Sequence, residues 1–251
     1  MRTLLSRRAV IGTVGAALSV AGCLDSSNPS DSTGEQANDS TEDQANEANA
    51  SGAGSSETEE VTFQSTAGTE IEGTVYGSSD CGVVLTPQIN LDRESWEEQA
   101  RRFVENNYLA LAIDEDGDNR PESVLGAARY LMEDRDLQRI VLIGASSGGE
   151  ASVIANARAD TDAVAGVVAL SPGGGTESAA DLQGQKLFVV AEDDDERFVQ
   201  TTEELHERAP EPKQLQTYSG SEHGQGLFDG DHREDLLERI LTLVASACDR
   251  S

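Results

Sequence analysis

The chain has 251 residues, 37% hydrophobic and 4% aromatic, with 47 Asp and Glu against 18 Lys and Arg, for a formal net charge of −29. So large an acidic excess repels phosphate backbones and excludes nucleic acid as a partner. The 3 cysteines and 3 histidines follow no metal-ligand spacing, so no metal site is expected.

Arg7-Arg8 precede a short apolar stretch, Ala9 to Gly22, rich in Gly and Ala. It falls short of the roughly 20 residues that span a bilayer core, and the paired arginines resemble a twin-arginine export signal. Val20 to Cys23, "VAGC", resembles a lipobox in which Cys23 becomes the lipid-bearing N-terminus. Residues 1–23 are therefore expected to be a signal, and the mature chain to be exported and attached through that lipid to the outer face of the cell membrane. A signal cut elsewhere, with Cys23 incidental, is the alternative.

Residues 24–60 are almost entirely small, polar and acidic, with too little apolar surface to offset the entropy of ordering. They are expected to form a disordered tether. Asn38 and Asn49 head N-x-Ser triplets that fit the glycosylation acceptor pattern. With only Lys186 and Lys213 as lysines, the acidic balance would self-repel in dilute buffer and be screened in concentrated salt. It resembles an exported protein of a haloarchaeon.

Residues 61–251 have the size of one domain. "VTFQST" and "IEGTVYG", from Val61 and Ile71, alternate as two antiparallel strands around Ala67-Gly68. Before the next strand lies Cys81, and at the end of the last helix Cys248. If Cys23 carries lipid, these two remain as a pair in a compartment that permits a disulfide; two separate thiols are the alternative. Buried strands are then expected at Val83–Thr86, Leu109–Ile113, Ile140–Ile143, Val164–Leu170, Leu187–Ala191 and Gln214–Tyr218. Helical patterns lie between them. Trp96, Ala100, Phe103 and Val104 make one apolar face, and Leu237, Ile240, Leu241, Val244 and Ala247 another. Strand and helix alternating on this scale imply a mostly parallel sheet of about eight strands with helices on both faces, with ligands at the carboxyl ends of the strands.

"GASSG", Gly144 to Gly148, leaves the strand "IVLI" directly and enters a helix expected to begin near Glu150. This is the G-x-S-x-G nucleophile elbow, in which glycines flank a serine on a turn too sharp for bulk, and a helix N-terminus faces the oxyanion. A phosphate loop is excluded, because no lysine follows. Ser146 needs a base. His206 lies in a charged helical stretch and His232 among charged residues at a helix start, whereas His223 lies in "GSEHGQG", a glycine-rich loop after the last strand.

Between elbow and His223, "LFVVAEDDDERF" gives a strand followed by Glu192, Asp193, Asp194 and Asp195. Strand, elbow, acid loop and histidine loop in this order resemble the α/β-hydrolase family, over nearly all of residues 61–251. In that family the acid stands three residues after a small residue that ends the strand; Ala191 occupies that place, so the resemblance implies Asp194. It also implies two backbone oxyanion donors, Ser147 after the nucleophile and, in the loop after the third strand, Ile89. Many relatives carry His-Gly in that loop where this chain has Pro87-Gln88, and Pro87 has no N–H to give. "PQI" looks like the shorter loop of the dienelactone-hydrolase-like and esterase branch; in the dienelactone hydrolases the nucleophile is cysteine where this chain has Ser146.

The implied activity is serine hydrolysis of carboxylic ester-type bonds in a small-molecule or polymeric substrate, through an acyl-enzyme and without a cofactor. Only Ser171 to Lys186 separate two strands where relatives insert a cap, so no large cap domain is expected, and "SPGGG" from Ser171 should form one wall of the site. A peptidase, thioesterase or lactonase of the same fold, or a surface-tethered binding module without turnover, are the competing readings. "DEDGDN", from Asp114, departs from a calcium loop in its glycine position and in Leu125 where a glutamate is needed. A solvated turn is expected there.

Overall fold

A computed structural model describes residues 58–249. The signal, Cys23, Asn38, Asn49 and nearly all of the predicted tether lie outside the described residues. The first strand, β1 (Thr58–Gln64), begins inside the stretch whose composition reads as tether, because its pairing with β2 (Glu70–Tyr76) extends to Thr58 opposite Tyr76. Local composition carries no record of that partner.

Then follow β3 (Cys81–Thr86), α1 (Glu97–Glu105), β4 (Leu109–Ile113), α2 (Arg120–Glu133), β5 (Arg139–Ala145), α3 (Ser147–Arg158) and β6 (Val164–Leu170). The chain ends with β7 (Gln185–Ala191), α4 (Glu196–Arg208), β8 (Lys213–Tyr218) and α5 (Arg233–Cys248). The strands form one 8-stranded sheet in the order β1-β2-β4-β3-β5-β6-β7-β8. The pairs β1/β2 and β2/β4 are antiparallel, and all others are parallel. Between β6 and β7 a single 3-10 turn, Thr176–Asp181, stands where a cap would be inserted.

Successive side chains of a strand point to opposite faces, and here both faces are covered. Val84, Leu111, Ile113 and Leu142 pack on one side with Val124 and Leu131 of α2, Val153 of α3 and Leu205 of α4. Val83, Leu85, Val141 and Ile143 pack on the other with Phe103 of α1 and Ile240 and Val244 of α5, as well as Trp96 just before α1. This is why the central strands read as unbroken apolar runs. Among the described residues no helix is long and apolar enough to cross a membrane.

Cys81 at the start of β3 and Cys248 at the end of α5 are bonded, with their Cα atoms 6.0 Å apart. The bridge ties the last helix to a central strand at the sheet's amino-terminal edge. That leaves the carboxyl edge, where the chain reverses from strand to helix after β3, β4, β5, β7 and β8, free of covalent constraint.

Candidate active site

The connection from β5 to α3 is made by Ser146 alone. Its φ of 50° and ψ of −113° are a conformation that L-residues rarely adopt, at a cost of about 1–3 kcal/mol that the surroundings must impose. Three hydrogen bonds hold it there. Ser146 N–H donates to Leu170 O at 2.8 Å, while Ser146 O accepts from Glu150 N at 3.0 Å and from Gly173 N at 3.1 Å. The last of these makes the "SPGGG" loop a wall that touches the turn.

The glycines of the motif follow from close approach. A Cβ on Gly144 would collide with the backbone of Gly148, and one on Gly148 with the carbonyls of Thr86 and Pro87. The helix begins at Ser147 rather than near Glu150. Ser146 occupies the N-cap position without capping through its hydroxyl, which is directed instead to a histidine.

His223 Nε2 lies 2.8 Å from Ser146 Oγ, and its Nδ1 lies 2.9 Å from Asp194 Oδ2 and 3.2 Å from Oδ1. The network assigns the tautomer: Nδ1–H donates to the carboxylate and Nε2 accepts from the hydroxyl. The Asp194 side chain is 4% exposed, the imidazole 30% and Ser146 8%. Asp194 Oδ1 also accepts from Asp195 N at 2.7 Å. Asp193 is exposed, and Asp195 is occupied as the N-cap of α4, accepting from Arg197 N at 3.1 Å. Neither neighbour reaches the imidazole.

The other histidines lie elsewhere. His206 is half-buried, edge-on to Phe188, and His232 stacks on Tyr218 while its Nε2 meets Ser219 Oγ at 3.0 Å.

Ser147 opens α3, so its N–H has no acceptor within the helix. Ile89 stands in the β3–α1 loop with 56% of its surface exposed, next to the similarly exposed Leu91. Beyond Ser147 a cleft of about 130 Å³ is lined by Arg120, Glu150, Ile154 and the Gly117-Asp118 turn. Burial, with Glu177 adding repulsion, raises the pKa of Glu150.

The acidic turn after β4 differs from its predicted solvated state. Asp114 pairs with Arg93, and Glu115, its side chain 8% exposed, accepts from Arg120 Nε at 3.2 Å. Only Asp116 and Asp118 behave as turn residues, with Asp116 accepting from Thr69, Asp118 and Asn119. Among the described residues no group of three or more His, Cys, Asp or Glu side chains is arranged to hold a metal ion.

Two contacts were not legible in the sequence. Phe198, on the first turn of α4, lies against the His223 ring, and Gln225 bridges to the β3–α1 loop. A phenylalanine in a helical pattern reads as core, and a glutamine in a glycine-rich loop carries no signal at all.

No protein-family model matches this sequence, and no curated protein matches it. Solved structures do. An esterase of Pyrococcus furiosus superposes with a TM-score of 0.64 at 14% identity, covering 76% of this chain and 91% of its own. A dienelactone hydrolase of Anabaena variabilis gives 0.60 at 17%, covering 75% and 95%, and a Rhodococcus esterase gives 0.61 at 16%, covering 75% and 99%. The described residues have the α/β-hydrolase fold, in its form without a large cap domain.

Proposed function

We propose that the chain is a serine hydrolase that cleaves carboxylic ester-type bonds through an acyl-enzyme on Ser146. The observation that carries this reading is the unbroken hydrogen-bonded line from Ser146 Oγ through both nitrogens of His223 to the buried carboxylate of Asp194. A serine hydroxyl has no useful nucleophilicity without such a base, and a neutral imidazole needs an anion behind it to carry the proton's charge.

Ser146 Oγ attacks the ester carbonyl while His223 Nε2 takes its proton. Asp194 stabilises the imidazolium and stays ionised. The N–H groups of Ile89 and Ser147 hold the oxyanion, each worth about 3 kcal/mol in the transition state. His223 then returns the proton to the departing alcohol, and water, deprotonated by the same nitrogen, releases the acid. No step calls on a cofactor.

The open rim, with Ile89 and Leu91 as an exposed apolar ledge, suits small esters or the end of a polymeric one. In the cell we place the enzyme outside the membrane, held by lipid on Cys23; the support is the twin-arginine and lipobox pattern together with an acidic composition suited to concentrated salt.

The test is labelling with a fluorophosphonate probe in concentrated salt, followed by a panel of nitrophenyl esters beside thioester, lactone and amide analogues. Labelling that disappears in Ser146→Ala, with turnover strongest on esters, is expected. Turnover confined to another class would replace the ester reading with a thioesterase, lactonase or peptidase. An unlabelled wild type that is as inert as Ser146→Ala would leave a tethered binding module.

A further inference from the structure

Two loops at the site are joined by a reciprocal pair of hydrogen bonds. Gln88 N–H donates to Gln225 Oε1 at 3.0 Å, and Gln225 N–H donates to Gln88 Oε1 at 2.9 Å, across 137 residues of sequence. Gln225 Nε2 extends the contact to Ser95, 2.9 Å from its Oγ. Gly224, with φ +57°, makes room, since a Cβ there would fall on Gln88 Oε1.

We propose that this clasp sets the direction of the Ile89 N–H, making Gln225 a positioning residue for the oxyanion. The proposal rests on reading Ser146 as the nucleophile. Pro87 restricts the chain on one side, and the Gln88 N–H, already spent on Gln225, cannot serve the oxyanion. Held at its N–H and side chain, Gln88 anchors the turn in which its carbonyl accepts from Leu91 N at 3.1 Å, and because the peptide group joining Gln88 to Ile89 is planar, fixing that carbonyl fixes the opposed Ile89 N–H. The exposed Ile89 side chain packs too little to fix that group itself. The same clasp ties the donor to the loop that begins at His223, so base and oxyanion site keep a fixed separation.

The experiment compares wild type, Gln225→Ala, Gln88→Ala, the double variant and Gln225→Glu. The glutamate keeps an oxygen to accept from Gln88. With a nitrophenyl ester in concentrated salt, each alanine variant should lose about 10- to 100-fold in kcat, less than outright removal of an oxyanion donor, with KM within about twofold. The double variant should be no worse than the poorer single one, because both break one device. Gln225→Glu should recover most of the loss. Backbone amide exchange over residues 88–91 should quicken in Gln225→Ala whether or not the chain turns over.

Additive losses, an unchanged kcat, a glutamate variant as poor as the alanine, or unaltered exchange would each overturn the clasp. If Gln225→Ala fails to fold, Gln88→Ala and Gln225→Glu decide by the same measures. Quickened exchange in a wild-type background that no fluorophosphonate labels would instead overturn the hydrolase reading, leaving the clasp as a structural tie.

Discussion

Phe198 lies against the imidazole of His223, with ring centroids 4.0 Å apart and planes tilted by 42°. The guanidinium of Arg197 sits 4.2 Å from the centroid of Phe198. The ring is thereby pressed into the orientation in which one nitrogen meets Ser146 and the other Asp194. Two hydrogen bonds fix the imidazole along its nitrogen axis, and the aromatic face limits rotation about that axis.

Removal of this face should cost both stability and rate. Phe198→Ala is expected to destabilise the fold by about 3 kcal/mol and to lower kcat about tenfold through a less constrained base. Phe198→Leu, which keeps most of the volume, should retain most of both. Denaturant titration beside steady-state kinetics reads the two effects separately. A rate in Phe198→Ala equal to wild type, at a temperature where it remains folded, would remove Phe198 from the positioning of His223.

The acid run after β7 offers three aspartates in a row, and the geometry separates them. Asp194→Asn should lower kcat by about 10³- to 10⁴-fold, because the amide favours the wrong tautomer of His223. Asp193→Asn should leave kcat within about twofold, since its side chain is exposed and away from the ring. Asp195→Ala should cost about 1 kcal/mol of stability as a lost N-cap, with a much smaller effect on rate. Kinetics on the three single variants tests this ordering, and a larger loss at Asp193 than at Asp194 would reassign the acid.

Much of this site could be read from the sequence because it is built from local signals. Glycines two residues either side of Ser146 mark a turn whose neighbours approach within backbone contact, and a lone histidine in a glycine-rich loop after the last strand has few other uses. The strands β4 and β6 were predicted at their observed limits, since residues buried on both faces form unbroken β-branched and apolar runs. Where the reading fell short, the cause is a distant partner. Gly148 and Gly149 are poor helix formers, yet close packing of Gly148 against Thr86 of β3 and of Gly149 against Gly144 of β5 draws them into α3. The acids after β4 read as solvated because Arg93 is 21 residues before Asp114, and nothing near either reveals the pairing. The clasp of Gln88 with Gln225 is further still from any local pattern.

The bridge between Cys81 and Cys248 closes a loop with a sequence separation of 167 residues. Loop-closure entropy sets its contribution at no more than about 5 kcal/mol, and measured cases fall nearer 2–4. Cys248→Ser combined with Cys81→Ser should therefore lower the unfolding free energy by about 2–4 kcal/mol. Because the bridge sits at the edge of the sheet opposite Ser146, kcat of the folded variant should stay within about twofold. Thermal unfolding and ester turnover measured on the same preparation check both statements, and a large loss of kcat without loss of stability would contradict the separation of the two ends.

Glu115 links stability to pH with a sign opposite to that of most paired carboxylates. Burial pushes its carboxyl up to about 7, with Arg120 pulling in the other direction, and its Oε1 is buried without a hydrogen-bond partner. An unfolded chain releases this proton near the ordinary value of 4.5, so between those two points the folded state holds a proton that the unfolded state has lost. Raising the pH across that window then favours unfolding. The stabilisation is fully present below about 4.5 and is lost as pH rises through about 7, a change of about 3 kcal/mol. Other carboxylates, whose pairing strengthens as they ionise, superimpose a slope of the opposite sign, so wild type must be compared with Glu115→Gln rather than read alone. Denaturant titrations at pH 5 and pH 8 in concentrated salt should show wild type losing about 2.5 kcal/mol more than the variant between the two values, since part of the change has already occurred by pH 5. Equal changes in the two proteins would mean that Glu115 is ionised throughout this range, held by Arg120 more strongly than its burial opposes.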